Sequence, residues 1–279
     1  MNIQLLAIDL DGTLVRSDNM VSPQNKAAVK AARDLGVKVA LCTGRLHCES
    51  EYVVKQLGGC DYLITCNGSV VYDLLNRRHI VKEALPFHLA DKVVALLEGY
   101  DIFYQIYVDD ASCVPASQMN KFDSIPLTDG YRAMFCDTQQ PLNNPRAELM
   151  EKKLDVLKFF IPSYDTRLLQ DIRKQAENIP GLEVTFASKH GLEIFRHGLD
   201  KLYGLSRLLD HLNMSYEHVM VLGDSENDLK IIQAAKYGVA MANAPDFVKD
   251  AAKYHTKSNE EDGVAHAITQ LILEPAGFT

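Results

Sequence analysis

Asp9 and Asp11 stand two residues apart, after the apolar run Ile3-Gln4-Leu5-Leu6-Ala7-Ile8 and before Gly12. A buried strand has no structural need to end in two acids. Carboxylates held this close raise one another's pKa unless a cation lies between them. The spacing therefore suits a metal site or an acid/base pair. Similar polar endings follow other short apolar runs: Thr43-Gly44-Arg45, Asn67-Gly68-Ser69, Gly223-Asp224-Ser225-Glu226-Asn227-Asp228 and Asn243.

The intervening elements explain how such distant residues can meet. Ser22-Pro23 signals a helix start, with an N-capping hydroxyl and proline at the first helical position. The helix over 24–35 stops at Gly36 and leads to a buried strand over 37–42. A second helix runs to Leu57 before Gly58-Gly59, and a third strand covers 62–66. This alternation predicts a parallel sheet with helical crossovers. The rhythm changes after a hairpin around Leu74-Leu75-Asn76-Arg77-Arg78. From Leu85 to about Gly191, hairpin strands mix with helices at 88–97 and 166–178. The parallel pattern then resumes, with a helix at 201–212, strands at 219–222 and 238–241, and a last helix at 263–273. The expected architecture is α/β: a doubly wound, Rossmann-like parallel-sheet core over 1–84 and 192–279, interrupted by an α+β domain over 85–191.

Open α/β sheets bind ligands beyond the carboxyl ends of their strands. Asp9, Asp11, Thr43, Asn67, Asp224 and Asn243 should therefore converge. Asp9, Asp11, Asp224 and Asp228 together demand a cation. Carboxylate oxygens without Cys or His point to a hard ion such as Mg²⁺, which commonly shares its coordination sphere with substrate phosphate. The Thr43 hydroxyl, backbone N–H groups and a lysine would complete a phosphate cradle.

Composition bounds the alternatives. The 279 residues carry a formal net charge of -8, with 47% hydrophobic and 24% charged residues. That balance argues against nucleic acid or an anionic membrane as partner. No apolar stretch is long enough to span a bilayer, and Asp9 and Asp11 interrupt the only early apolar run, which is unlike a secretory signal. Cys42, Cys48, Cys60, Cys66, Cys113 and Cys136 form no CxxC pair. They suit reduced thiols in a cytoplasmic protein.

Asp9-Leu10-Asp11-Gly12-Thr13-Leu14 resembles the first signature of the haloacid dehalogenase superfamily of phosphohydrolases. Thr43-Gly44-Arg45 resembles its second signature, and the segment 223–228 its fourth. Asn67-Gly68-Ser69 and the closing Asn259-Glu260-Glu261-Asp262-Gly263-Val264-Ala265 are similar to its Cof-type sugar-phosphatase branch. That branch carries a large cap between the second and third motifs, where the insertion falls. The resemblance implies Mg²⁺-dependent hydrolysis of a small phosphorylated metabolite, most plausibly a sugar phosphate. Asp9 would be the nucleophile and Asp11 the general acid, then base. Mg²⁺ would be held by Asp9, the Asp11 carbonyl and Asp224. Thr43, Gly44, Lys201 and Asn227 would bind phosphate, and Asp228 would position Lys201 or support the metal shell. The cap would select the substrate.

Some assignments stay open. Phosphoryl transfer to a second hydroxyl, as in a mutase or phosphotransferase, and a catalytically weak metabolite sensor both fit these motifs. Lys189 competes with Lys201. Leu202 stands where the branch commonly has glycine, and Ser225 is another such position. Asn67 could merely shape its turn, and Arg45 and His47 could face substrate or solvent. Cys42 reads as core, the aromatics Phe103, Tyr104 and Tyr107 as core or cap sheet, and 259–262 as a solvated helix lead-in.

Overall fold

A computed structural model describes residues 2–109, 111–126, 132 and 139–277; Cys136 lies outside them. Backbone packing divides the chain into two units, one of Met1–Lys82 with Asp200–Thr279 and one of Glu83–Leu199.

In the first unit an eight-stranded sheet is built around β1 (Leu5–Ile8). On one side lie β2 (Lys38–Cys42), β3 (Tyr62–Thr65), β4 (Val70–Asp73) and β5 (Arg78–Lys82). On the other lie β12 (Val219–Gly223), β13 (Tyr237–Ala240) and β14 (Tyr254–His255). The run from β14 to β3 is parallel, and β4 and β5 add antiparallel at one edge. The chain thus moves outward from β1 in both directions. This makes the gap between β1 and β12 a topological switch point, where open sheets form their ligand crevice.

Alternating side chains of β1 commit to opposite faces, as the period of two requires. Leu6 and Ile8 join the core formed with α1 (Pro23–Asp34), α2 (His47–Leu57) and α9 (Gly263–Ile268). Leu5 and Ala7 join the core formed with α6 (Lys201–Leu212) and α7 (Leu229–Ala234). With both faces covered, every β1 side chain is fully buried, hence its continuous apolar sequence. Ser22 caps α1 by accepting the Asn25 N–H at 3.0 Å, and Pro23 occupies the first turn.

The second unit has a six-stranded sheet in the order β10-β11-β9-β6-β7-β8. Its strands are β6 (Gln105–Val108), β7 (Ala111–Pro115), β8 (Gln139–Leu142), β9 (Val156–Pro162), β10 (Leu182–Ser188) and β11 (Gly191–Arg196). One face packs on α3 (Phe87–Glu98), α4 (Pro145–Glu151) and α5 (Thr166–Glu177). The stretch around Pro141 and Pro145, without element assignments from sequence, holds β8 and α4. Pro145 starts α4 behind the N-cap Asn144. The second join falls later than residue 192, because Gly191–Arg196 pairs with β10 and β9 rather than with the core sheet. The apolar pattern of 192–195 suits a buried strand in either sheet, so periodicity could not assign it.

Candidate active site

Asp9 follows β1 and Asp224 follows β12, and these strands pair in register with Ile8 opposite Leu222. The Asp9 N–H donates to the Leu222 carbonyl at 3.0 Å, continuing the pairing to the carboxylate itself. Gly12 allows the approach of the two loops. It has φ 82°, and a Cβ there would lie 2.4 Å from Asp224 Oδ2. Thr13 Oγ1 donates to Asp224 Oδ1 at 2.8 Å, and Ser225 Oγ donates to Oδ2 at 3.1 Å.

Lys201 is the first residue of α6, behind the N-cap Asp200. A cation there opposes the helix macrodipole, so helix propensity does not explain its presence. Its partners do: Nζ donates to Asp9 Oδ1 and to Asp228 Oδ1, both at 2.7 Å. The ammonium is 1% exposed. Close glycine packing brings α6 to this point. A Cβ on Gly204 would lie 2.7 Å from the Gly68 Cα, and one on Gly68 would lie 2.2 Å from the Asp200 carbonyl. Lys189, the competing lysine, sits at the β10–β11 turn of the second unit.

Carboxylate oxygens of Asp9, Asp224 and Asp228 lie within 4.8 Å of one another. Both Asp228 oxygens are engaged, Oδ1 by Lys201 and Oδ2 by the backbone N–H groups of Asp224 and Ser225 at 3.1 Å. Among the described residues Asp9 Oδ2 accepts no hydrogen bond. Three carboxylates against one lysine leave an excess of two negative charges if all ionise. Burial, opposed by Lys201 and reinforced by Asp228, Asp224 and Asp11, holds Asp9 well above the ordinary carboxylate range. Burial and then Asp228 push Asp224 up to about 7. For Lys201 burial favours the neutral amine, but Asp228 and Asp9 outweigh it and raise the ammonium well above its usual value. An all-oxygen anionic pocket with unbalanced charge fits a hard divalent cation, with Asp9 and Asp224 as side-chain donors.

Asp11 points elsewhere. Arg45 Nε donates to its Oδ2 at 2.9 Å and Arg45 Nη2 to its Oδ1 at 2.6 Å, while Nη2 also donates to Asn19 Oδ1. Arg45 is 1% exposed, so the solvent-facing reading of it is wrong: the guanidinium grips the Asp11 carboxylate from inside. Planar bidentate geometry makes this a strong, directional pair. His47 stacks edge-on against Tyr72 at 4.6 Å between centroids.

Thr43 is buried, and its Oγ1 accepts the Arg45 N–H at 3.0 Å, keeping its own hydrogen for donation. Gly44 lies partly exposed in the turn between β2 and α2. Cys66, Asn67 and Gly68 all have positive φ. This folds the end of β3 back so that the N–H groups of Asn67 and Cys66 donate to the carbonyls of Thr43 and Arg45. Asn227 Nδ2 donates to Asn67 Oδ1 at 3.3 Å, and its own buried Oδ1 has no partner among the described residues. Cys42 is core, its thiol pushed up by burial. Tyr104 and Tyr107 are buried in the second unit's sheet region.

The structure therefore gathers Asp9, Asp224, Asp228 and Lys201. It links Asn227 to Asn67 and turns the Asp11 side chain to Arg45. Sequence reasoning missed the Arg45–Asp11 clasp and the Thr13–Asp224 bond. Thr13 lies inside the 9–14 motif, a signal that could have pointed to its bond with Asp224. The segment 259–262 is no mere solvated lead-in: Arg16 pairs with Asp262 at 3.0 Å and Ser17 N–H donates to Glu260.

Among the described residues no helix is long and apolar enough to cross a membrane. The family model for haloacid dehalogenase-like hydrolases matches residues 6–268. A Bacillus subtilis 5-amino-6-(5-phospho-D-ribitylamino)uracil phosphatase, YcsE, is 32% identical over 275 residues, covering 98% of this chain and 97% of that protein. The Escherichia coli pyridoxal phosphate phosphatase YbhA is 29% identical, covering 98% of this chain and all of that protein. A solved haloacid dehalogenase-like hydrolase from B. subtilis superposes with a TM-score of 0.87 at 28% identity, covering 97% of this chain and 100% of its own. With the switch-point carboxylates already in place, these likenesses identify the chain as a member of the haloacid dehalogenase-like hydrolases and as a phosphoric monoester hydrolase.

Proposed function

We propose that the protein hydrolyses small phosphate monoesters, sugar or sugar-alcohol phosphates foremost, through a phosphoryl group carried on Asp9. The observation that carries this reading is the Lys201 ammonium shared between Asp9 and Asp228 at the switch point, with Asp224 beside it. The substrates that name these two relatives, a phosphoribitylamino compound and pyridoxal phosphate, support a small polar phosphorylated metabolite.

Asp9 Oδ2 attacks phosphorus while Oδ1 stays on Lys201. The bond from phosphorus to the leaving oxygen breaks, and that oxygen takes a proton from Asp11. Water then attacks the aspartyl-phosphate, Asp11 accepts its proton, and inorganic phosphate leaves with Asp9 regenerated. Asp11 must swing away from Arg45 to deliver and recover the proton. Thr43 Oγ1, the turn at Gly44, Lys201 Nζ and Asn227 Nδ2 hold the phosphoryl oxygens, and Asp228 keeps Lys201 aimed between them. Asp9, Asp224 and the Asp11 carbonyl would hold Mg²⁺, whose positive charge would offset repulsion between carboxylate and phosphate dianion. Positioning and charge neutralisation dominate phosphoryl transfer, which suits a site built from fixed carboxylates and one lysine. The inserted unit, proposed as a cap, selects the leaving group.

Incubation with Mg²⁺ and a panel of metabolites isotopically labelled in their phosphoryl groups tests the reading. Label should appear as inorganic phosphate, and rapid quenching should trap a hydroxylamine-sensitive protein phosphate. Asp9→Asn should lower turnover by at least about 10³-fold, on the scale of losing a covalent nucleophile. Undiminished turnover in Asp9→Asn would sink the assignment, and label transferred to a second sugar would indicate a mutase.

A further inference from the structure

The segment Gly12–Ser17, which follows Asp11, belongs to no helix or regular strand. Gly12, the most permissive residue type, sits at φ 82° directly after the acid. Locally, the N–H groups of Thr13, Leu14 and Val15 fold the turn back onto the carbonyls of Leu10 and Asp9. Distant side chains hold the outward-facing carbonyls of the segment. Asn243 Nδ2 donates to the Gly12 carbonyl at 2.8 Å, across 231 residues of chain. Asn259 Nδ2 donates to the Val15 carbonyl at 3.0 Å, across 244 residues. The two are themselves joined, because the Asn259 N–H donates to Asn243 Oδ1 at 3.2 Å. The Asn243 amide thus donates to one backbone group and accepts from another through one rigid plane. Asn243 comes from the loop after β13 and Asn259 from the turn before α9, so both arrive from the far end of the chain.

We infer that Asn243 and Asn259 form a clamp that positions Asp11 for proton transfer, acting through the Gly12 and Val15 carbonyls. The inference rests on the reading of Asp11 as general acid. Arg45 holds the Asp11 carboxylate, whereas the clamp fixes the backbone from which that carboxylate swings. Neither asparagine touches Asp9, Asp224, Asp228 or Lys201 in any hydrogen bond among the described residues. Thr13 of the same segment keeps its own bond to Asp224, so loss of the clamp should slow proton delivery more than phosphorus attack.

Two esters of the same ring separate these steps. Phenyl phosphate releases a strongly basic phenoxide that needs the proton, whereas 2,4-dinitrophenyl phosphate releases a stable anion that does not. Rapid-quench measurement of the first turnover is the readout. Asn243→Ala and Asn259→Ala should slow phenyl phosphate about 10-fold, part of the usual general-acid contribution, and change the dinitrophenyl ester less than about 2-fold. Asn243→Asp should behave as Asn243→Ala, since it keeps the acceptor for Asn259 and loses the donor to Gly12. Asp11→Asn should show the same split, larger. Equal slowing of both esters, or slowing of neither while Asp11→Asn retains its split, overturns the clamp. No split in Asp11→Asn itself overturns the acid role of Asp11 and the clamp with it.

Discussion

Among the described residues each unit buries a lysine against acidic side chains, Glu193 alone in one and a cluster of aspartates in the other, and the two sites differ in charge. In the inserted unit Lys158, on β9, pairs with Glu193 on β11, both 2% exposed. Its ammonium also lies 4.6 Å from the Tyr107 ring centroid and 5.7 Å from that of Phe160. One cation meets one carboxylate and two aromatic rings, in mid-strand, and the charges balance. In the core Lys201 meets Asp9 and Asp228, with Asp224 adjacent, at strand ends. There the charges do not balance. Burying a charge costs free energy that a well-paired partner offsets. Lys158 and Glu193 offset each other's burial as a pair. The Lys201 cluster balances only with a further cation, a bound proton or a substrate that redistributes the charge. Imbalance held in place by a rigid sheet is what separates a reactive site from a structural ion pair.

Removing each lysine tests the contrast. Lys201→Met should cost about 10²–10³-fold in turnover, the scale of losing one preorganised charge at the reacting group. It should also destabilise the metal-free protein by about 3–5 kcal/mol, because buried carboxylates lose their internal cation. Replacing both members of the other pair, Lys158→Met with Glu193→Leu, should leave stability within about 2 kcal/mol of the parent. Hydrolysis of 2,4-dinitrophenyl phosphate should then stay within about 2-fold, since the double substitution leaves Lys201 and its carboxylates unchanged. Comparable losses of turnover in both variants would erase the distinction.

Adding the missing cation gives the next effect in size. Mg²⁺ at 100 times its Kd should raise the melting temperature by about 5–10 °C, through preferential binding to the folded state. Asp224→Asn should abolish that rise, whereas the Lys158/Glu193 double variant should retain it. The smallest effect is on pH. Asp224 is pushed up to about 7 by burial and then Asp228, so the folded protein binds this proton more tightly than the unfolded chain does. Its contribution is present at low pH and is lost as pH rises through the folded value. The melting temperature of the metal-free protein should therefore fall between about pH 5 and pH 8, and Asp224→Asn should reduce that fall by a few degrees. An unchanged or steeper fall would show that the carboxylate is not penalised there.

Much of this is legible in the amino-acid sequence. The strand–helix alternation and carboxyl-end motifs announced a doubly wound α/β core, because burial on both sheet faces forces continuous apolar runs. The motifs at 9–14, 43–45 and 223–228 announced a phosphohydrolase. Local capping made α1 readable to within a residue or so: a serine before the first turn is a short-range signal. Residues 192–199 were not readable in this way, since their sheet is chosen by pairing partners elsewhere in the chain.

Residue types and their order along the chain were enough for the fold class, the family and the demand for a cation near Asp9 and Asp224. Folding decided the rest. Asp228 is held by Lys201 and two N–H groups, the Asp11 carboxylate turns to Arg45, and Asn243 and Asn259 reach back to the Gly12–Ser17 segment. The reason is physical. An apolar period or a helix cap acts over a few residues and is written locally. A hydrogen bond or ion pair between groups two hundred residues apart depends on the register of β1 against β12 and on the close packing of Gly68 with Gly204. Those contacts exist only once the sheet has closed.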